Sequence, residues 1–330
     1  VANMLQAREW FKKSEEGKEV FLTALPLYHS YAMTTCMNQC VYLAGTMILI
    51  PNPRELQHVM KEIDQHKPTV FPGAPTMYVA INNYKELDKY NVRSIKACVS
   101  GAAGLPLQVQ QKFQELTGAK LVEGYGLSEA SPVTHANPIY GENRIGTIGL
   151  PFSDTLCRIV DVETGKQDMP IGQSGELIIQ GPQVMKGYWN RPDETANSLR
   201  DGWLFTGDIA EMDADGYFKI VDRKKDMIIV GGFNVYPRDV EEVLFKHPKV
   251  LEATAAGIPD PKSGQRVKAY VVLKPGVTAT VEELMEYCKE NLTNYKRPTV
   301  IEFRDSLPKT MIGKVLRRYL VEEDMQKAGK

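Results

Sequence analysis

The hydrophobic positions of this chain come in short, dense runs rather than long periodic ones. Apolar stretches at Val20–Leu25, Thr46–Ile50, Thr69–Phe71, Ala97–Val99 and Lys120–Val122 are short and continuous, and they predict buried strands. Between them, Arg54–Lys67, Thr76–Asn83 and Leu107–Thr117 read as helices. Pro106 near the start and Gly118 at the end punctuate the last of these. The opening residues, Val1 to Gln6, read as the middle of a helix. Over residues 1–140 this alternation predicts an α/β fold, with a mainly parallel sheet and helices over its faces.

From 141 to 222 the pattern changes. Gly and Pro recur every few residues between β-rich runs at Leu156–Val162, Gly175–Gln180, Leu204–Met212 and Tyr217–Val221. Asp213-Ala214-Asp215-Gly216 reads as a hairpin turn, so a compact β subdomain is expected here. Residues 223–330 form a third pattern. Strands are expected at Asp226–Val230, Glu252–Ile258, Val267–Leu273 and Val300–Phe303, and helices at Pro237–His247, Val281–Leu292 and from Lys314 onward. That is a small α+β domain, reached through the charged linker Asp222-Arg223-Lys224-Lys225-Asp226.

Composition narrows the classes. The chain has 330 residues, which suggests more than one domain. Its 40 Lys and Arg against 41 Asp and Glu give a net charge of −1, which argues against a nucleic-acid partner. The longest apolar stretches are too short to span a bilayer. The five cysteines lack a zinc-like set of neighbours and predict reduced thiols in a cytoplasmic protein.

Five segments could carry chemistry, and each has a plain structural alternative. Ser100-Gly101-Ala102-Ala103-Gly104-Leu105 follows a strand and would let backbone approach a flat ligand, or it is simply a strand-to-helix turn. Glu123-Gly124-Tyr125-Gly126-Leu127-Ser128-Glu129 follows the next strand, where α/β sheets bind ligands. Within it Glu129 is a hard oxygen donor suited to Mg²⁺, and Ser128 is a hydroxyl suited to phosphate; a solvated loop is the alternative. In Gly202-Trp203-Leu204-Phe205-Thr206-Gly207-Asp208 the aspartate could accept two ribose hydroxyls or merely cap a turn. Asp222 to Pro237 leads from a charged hinge through a strand to a Gly-Gly loop, and an interdomain linker would read the same way. In Leu307 to Arg318, Lys314 directly after Gly313 could reach a phosphate or stand in solvent.

In this order and spacing the segments resemble the adenylate-forming acyl-CoA synthetase superfamily, over essentially the whole chain. Gly-Tyr-Gly-Leu-Ser-Glu at 124–129, Trp-Leu-Phe-Thr-Gly-Asp at 203–208 and Pro-Lys-Thr…Gly-Lys at 308–314 are specific as a set. Pro182 to Asn190 and Gly232 to Pro237 look most like long-chain fatty acid CoA ligases, with aryl-CoA ligases of the 4-coumarate type as near neighbours. The resemblance implies a two-step reaction. A carboxylate attacks the α-phosphate of ATP, giving an acyl-adenylate and pyrophosphate; the CoA thiol then displaces AMP.

Carried over by position, the resemblance implies that Ala102 and Ala103 line the adenine, with Glu123 near its amine. Tyr125, between Gly124 and Gly126, stacks on it. Ser128 bonds phosphate and Glu129 holds Mg²⁺. Asp208 and Arg223 take the ribose hydroxyls, and Lys225 is the hinge between the two steps. Gly231, Gly232 and Phe233 line the pantetheine path. Lys314 bridges carboxylate and α-phosphate in the first step, and His29 flanks the acyl carbonyl. The acyl pocket is expected among Tyr28–Thr35, Phe71–Tyr78 and Ser100–Leu105, with Ala32, Met33, Gly73, Ala74 and Met77 suited to an alkyl chain. Fatty acid, ATP and CoA are the implied partners, while peripheral membrane contact and a homodimer stay open.

One family feature is absent. The Ser/Thr/Gly-rich phosphate loop ending in Pro-Lys-Gly has no counterpart here. The expectation is that the first part of the large domain is missing, leaving a fragment with impaired or no activity. The alternative is a non-catalytic module that binds AMP or CoA.

Overall fold

The computed structural model describes residues 1–310 and 314–328. Met311, Ile312 and Gly313 of the Pro-Lys-Thr…Gly-Lys motif lie outside the described residues. The chain divides into two compact units, one of residues 1–206 and 211–220, the other of 207–210 and 221–330.

The first unit is built on parallel strands β1 (Val20–Thr23), β2 (Thr46–Leu49), β3 (Ala97–Ser100) and β4 (Lys120–Gly126). β2 pairs with β1, and β3 with β4, in parallel. Single parallel bridges from Phe21 to Val70 and from Val70 to Ala97 join the two pairs. Beyond β4 the sheet turns antiparallel through β5 (Val133–Ala136) and β6 (Leu150–Pro151). Both faces of the parallel part are covered, which is why its strands read as unbroken apolar runs. Leu22, Cys98 and Leu121 face the helices Leu56–His66, Pro75–Asn82 and Leu107–Thr117 through Val59, Met60, Ile63, Tyr78, Ile81 and Phe113. Their neighbours Phe21, Val99 and Val122 point the other way, towards Phe11, Cys40 and Leu43.

Three local expectations change. Thr69–Phe71 is extended and bonded on both sides (Leu22 N to Val70 O 3.0 Å, Phe71 N to Ala97 O 3.0 Å), yet only Val70 forms ladder bridges. Pro68 and Pro72 flank it, and neither has an N–H to extend the pairing. β2 lies at an edge, with Thr46 and Leu49 exposed rather than buried. Residues 30–42, where no element is expected, are helical, with a π-helical stretch at Met33–Asn38.

The opening helix, Ala2–Trp10, is tied to β5 by polar side chains as well as by Ala7 and Trp10, which pack with Val133, Ala136 and Phe152. Asn3 mimics a strand: its Nδ2 donates to Val133 O (2.6 Å) and its Oδ1 accepts from Val133 N (3.0 Å). Gln6 donates to Ser153 O at 2.6 Å. Asn3→Ala leaves a backbone N–H and C=O without partners in a buried setting. It is expected to destabilise the first unit by about 2 kcal/mol, read as a lowered urea midpoint with unchanged slope. A change below about 0.5 kcal/mol would show that the pairing is dispensable.

The β-rich stretch comprises β7 (Leu156–Val160), β8 (Gly175–Gln180), β9 (Leu199–Arg200), β10 (Trp203–Met212) and β11 (Phe218–Arg223). Their sheet order is β11-β10-β8-β7, with β9 against β10. The expected turn at Asp213–Gly216 closes with Gly216 at φ +83°. Arg144 clamps it through Asp213 and Asp215, both at 2.7 Å, and lies 4.2 Å over the Tyr217 ring.

In the second unit β12 (Ile228–Val230), β13 (Phe233–Val235), β14 (Val250–Asp260), β15 (Gly264–Leu273) and β16 (Val300–Phe303) form one sheet. β15 is its centre, antiparallel to β14 and β12 and parallel to β16. Helices Pro237–Lys246 and Val281–Asn291 close a core of Val235, Val240, Leu244, Ala269, Leu284 and Ile301. The last helix, Arg317–Ala328, is held from the sheet by Lys268, whose ammonium meets Asp324 (2.7 Å) and Glu302 (2.6 Å). It begins three residues later than the expected start at Lys314.

Candidate functional site

In the first unit the first Gly-rich segment leaves the end of β3, with Ser100 opposite Glu123 in the parallel register. Glu123 to Gly126 of the second, expected after the strand, are instead the end of β4 itself, because Gly124 to Gly126 pair antiparallel with β5. In the first loop Ala102 adopts the left-handed region at φ +72°, a conformation that strains a side-chain-bearing residue. Gly101 leaves room for Tyr31, whose ring a Cβ would meet at 3.1 Å and whose hydroxyl donates to Val99 O at 2.6 Å. At the end of β4 Gly126 has no alternative, since an added Cβ would lie 2.2 Å from Pro132 O. Tyr125, between the glycines, is half-buried and pairs with His135 on β5, the two rings 6.0 Å apart. His135 is fully buried, and burial holds its pKa down at about 3. It is therefore neutral, bonded to Thr134 Oγ1 (2.9 Å) and Cys157 Sγ (3.4 Å).

His29 caps the helical segment after it, its Nδ1 accepting from Tyr31 N at 3.2 Å. The adjacent Ser30 hydroxyl lies 3.1 Å from that of Ser128, so the His29 and Ser128 segments meet. Glu129, in the short 3₁₀ turn Ser128–Ala130, accepts from the Tyr188 hydroxyl at 2.7 Å. The 183–188 strip is zipped to this turn by Met185 N to Glu129 O (2.7 Å) and Ser131 Oγ to Gln183 O (2.8 Å). Sequence reasoning missed Tyr188 and Ser30 as partners. The available signals were the Pro182–Asn190 strip, which carries the resemblance to fatty acid CoA ligases, and the position next to His29. Glu123 is buried, and Ala103 is exposed beside half-buried Ala102. Of the expected acyl-pocket residues, Ala32, Ala74 and Met77 are buried and Met33 is exposed. A Cβ at Gly73 would meet the Tyr78 hydroxyl at 2.9 Å.

The second unit holds Asp208, Arg223, Lys225, Gly231, Gly232, Phe233 and Lys314. Buried Asp208 and half-exposed Arg223 form an ion pair at 3.5 Å. Lys314 joins them electrostatically. Burial first, then the Arg223 cation, pushes its ammonium from 10.5 down to about 8, with Asp208 and Asp226 opposing. Its chain position is held by pairing between residues 308–310 and 314–316: Lys314 N to Thr310 Oγ1 (3.1 Å), Thr310 N to Lys314 O (2.8 Å) and Leu316 N to Pro308 O (2.8 Å). Lys225 is exposed, in the 3₁₀ turn Lys224–Asp226.

Arg317, just past this loop, is a further residue the sequence did not single out. It grips Glu241 with two bonds (2.8 and 2.9 Å) and reaches Asp226 at 3.1 Å and Asp222 at 3.5 Å. Burial lowers its pKa, but Glu241 and Asp222 outweigh that and the net shift is upward.

Among the described residues no group of three His, Cys, Asp or Glu could hold a metal, and no helix is long and apolar enough to cross a membrane. Mg²⁺ does not require such a cage. It typically binds one or two protein carboxylates and takes its other ligands from water and substrate phosphates, a demand that half-buried Glu129 fits.

A parallel sheet with Gly-rich segments at its strand ends, followed by a small α+β unit carrying a half-buried lysine, is the build of adenylate-forming ligases. The solved anthranilate CoA ligase AuaEII in complex with anthranoyl-AMP matches with a TM-score of 0.90 at 28% identity, covering 99% of this chain and 64% of that one. The chain belongs to the AMP-binding enzyme family: the family model matches residues 1–189, and that of the AMP-binding enzyme C-terminal domain matches residues 239–314. A long-chain-fatty-acid–CoA ligase of Bacillus subtilis is 52% identical over 99% of this chain and 58% of its own length. One of Yersinia pestis is 45% identical over 94% of this chain and 55% of its own length. The chain thus spans little more than half of these relatives.

Proposed function

We propose that the protein to which this chain belongs activates a long-chain fatty acid with ATP and transfers the acyl group to CoA. The observation that carries the reading is the half-buried amine of Lys314, coupled electrostatically to the Asp208–Arg223 pair. A carboxylate oxygen forms a bond to the α-phosphorus as the bond to the β-phosphate oxygen breaks, and pyrophosphate leaves. This chemistry needs positioning and charge stabilisation more than covalent help. Lys314 supplies a cation held in place before charge develops. Asp208 and Arg223 orient the ribose, and Tyr125 packs on the adenine beside Ala102 and Ala103. Glu129 would hold Mg²⁺, which neutralises phosphate charge when bound. In the second step the CoA thiol attacks the acyl carbonyl and AMP departs. His29 flanks that carbonyl, Lys225 is the hinge, and Gly231, Gly232 and Phe233 receive the pantetheine arm. Long-chain preference is supported by the names of the relatives at 52% and 45% identity.

The test is ATP-dependent pyrophosphate release and palmitoyl-CoA formation by the protein as its gene encodes it, with palmitate and hydroxycinnamates compared. Higher kcat/KM for the aryl acids would overturn the fatty acid reading in favour of an aryl-CoA ligase. The present chain alone is expected to release pyrophosphate far more slowly, because its sequence contains no Ser/Thr/Gly-rich phosphate loop ending in Pro-Lys-Gly to cradle the β- and γ-phosphates.

Tyr188→Phe removes the hydroxyl that orients Glu129. It is expected to weaken metal binding roughly tenfold, as loss of a group that orients a metal ligand does. Mn²⁺ titration followed by electron paramagnetic resonance in the presence of ATP measures this, and an unchanged Mn²⁺ affinity would show that Tyr188 only packs.

A further inference from the structure

We infer that Tyr295 is a positioning residue for the thioester step, its ring holding Phe233 in place at the tip of the β12–β13 hairpin. This rests on the proposed reading of that hairpin as the path of the CoA arm. Val230 pairs directly with Phe233, so Gly231 and Gly232 make a two-residue turn. Both have positive φ, +56° and +86°, as the turn that matches the strand twist requires.

The glycine end of the tip is anchored by polar groups. Gly231 N donates to Ser263 O at 2.9 Å, and Ile229 N donates to Gln265 Oε1 at 2.8 Å. Asp260 in turn holds Ser263 through its N–H (2.9 Å) and its hydroxyl (2.7 Å).

Phe233 is supported differently. The residue is 58% exposed, and its ring stacks on Tyr295 at 4.9 Å and 22°. Tyr295 has a firm base. It packs on the core of the second unit and lies in the 3₁₀ turn Asn294–Lys296. Lys296 pairs with Asp239 at 2.7 Å, and Arg297 Nε donates to Leu292 O at 3.0 Å. Phe233 is thus an aromatic surface backed by a ring and still open to solvent. Such backing restricts the side chain to one orientation before a ligand arrives, so less ordering remains to be done on binding.

The experiment compares Tyr295→Leu and Tyr295→Phe with the unsubstituted protein as its gene encodes it, in two separate half-reactions. ATP–pyrophosphate exchange with palmitate reports adenylation, and CoA-dependent AMP release reports thioester formation. Leucine keeps apolar volume against the core but removes the stacked ring. Tyr295→Leu is expected to raise KM for CoA roughly three- to tenfold, the range an aromatic pair spans, with exchange unchanged. Tyr295→Phe is expected to restore the KM. An unchanged KM in Tyr295→Leu, or an equal rise in Tyr295→Phe, overturns the buttress. Equal loss of exchange and thioester formation in Tyr295→Leu overturns it as well, since the effect is then not specific to CoA. If the unsubstituted protein carries out exchange but forms no thioester, the functional reading itself falls.

Discussion

Lys314→Ala is expected to slow adenylation by about 10²–10³-fold, the range for removing one preorganised charge-stabilising donor, while sparing thioester formation from preformed acyl-adenylate. The reason is where the charge develops. In the first step negative charge builds around the α-phosphorus as it is attacked, whereas in the second it first builds on the acyl carbonyl oxygen. The backbone that carries the amine is held by Thr310 and by the pairing of Pro308 with Leu316. Equal loss in both half-reactions would remove Lys314 from the scheme. The environment adds a pH signature. An unburied lysine remains charged to pH 10, but burial brings Lys314 to about 8. The protonated amine is the working form, so kcat/KM for adenylation is expected to be level below pH 8 and to fall above it. Bound phosphate favours the cation, so the same limb in kcat should lie at higher pH. In Lys314→Arg the limb should vanish, because guanidinium does not deprotonate in this range. A level kcat/KM profile to pH 9.5 in the unsubstituted protein would contradict the assignment.

Arg317→Leu is expected to destabilise the second unit by about 3–5 kcal/mol, the cost of leaving buried Asp222 and half-buried Glu241 and Asp226 without their shared cation. Glu241 would lose a two-pronged contact, keeping Thr254 Oγ1 (2.8 Å) and Ala255 N (2.9 Å). Asp222, already pushed up by burial against the pull of Arg317, would keep only backbone donors. Urea unfolding of this chain, followed on the second unit's transition, measures the effect. A loss under about 1 kcal/mol would mean the cluster is solvated well enough to do without the arginine. Arg317 also lies three residues beyond Lys314, so its loss should loosen the anchorage of the lysine loop.

The local patterns were legible because they depend on neighbours in the chain. Pro106 and Gly118 bracket a helix at Leu107–Thr117 that the structure reproduces to the residue, and Val300–Phe303 is likewise a strand. The hairpin at Asp213–Gly216 follows from turn chemistry alone. The helical segment at 30–42 was not legible. Its π-helical stretch carries Thr34, Thr35 and Asn38, which give no apolar stripe, and it is stabilised instead by Thr34 reaching Ser131 O (3.1 Å) and Thr35 reaching Tyr31 O (2.8 Å).

The same division runs through the site. Residue type and spacing along the chain determined the family, the loops that bear its motifs and the candidates Glu129, Asp208 and Lys314, because a motif is a local statement about backbone and chemistry. Tertiary structure alone decided what surrounds them. Tyr188 reaches Glu129 across 59 residues of sequence, Arg317 grips Glu241 across 76, and Arg223 lowers an amine far along the chain at Lys314. A pKa, a buttress or an ion-pair cluster is set by distance and burial, and those exist only once the strands have brought remote segments together.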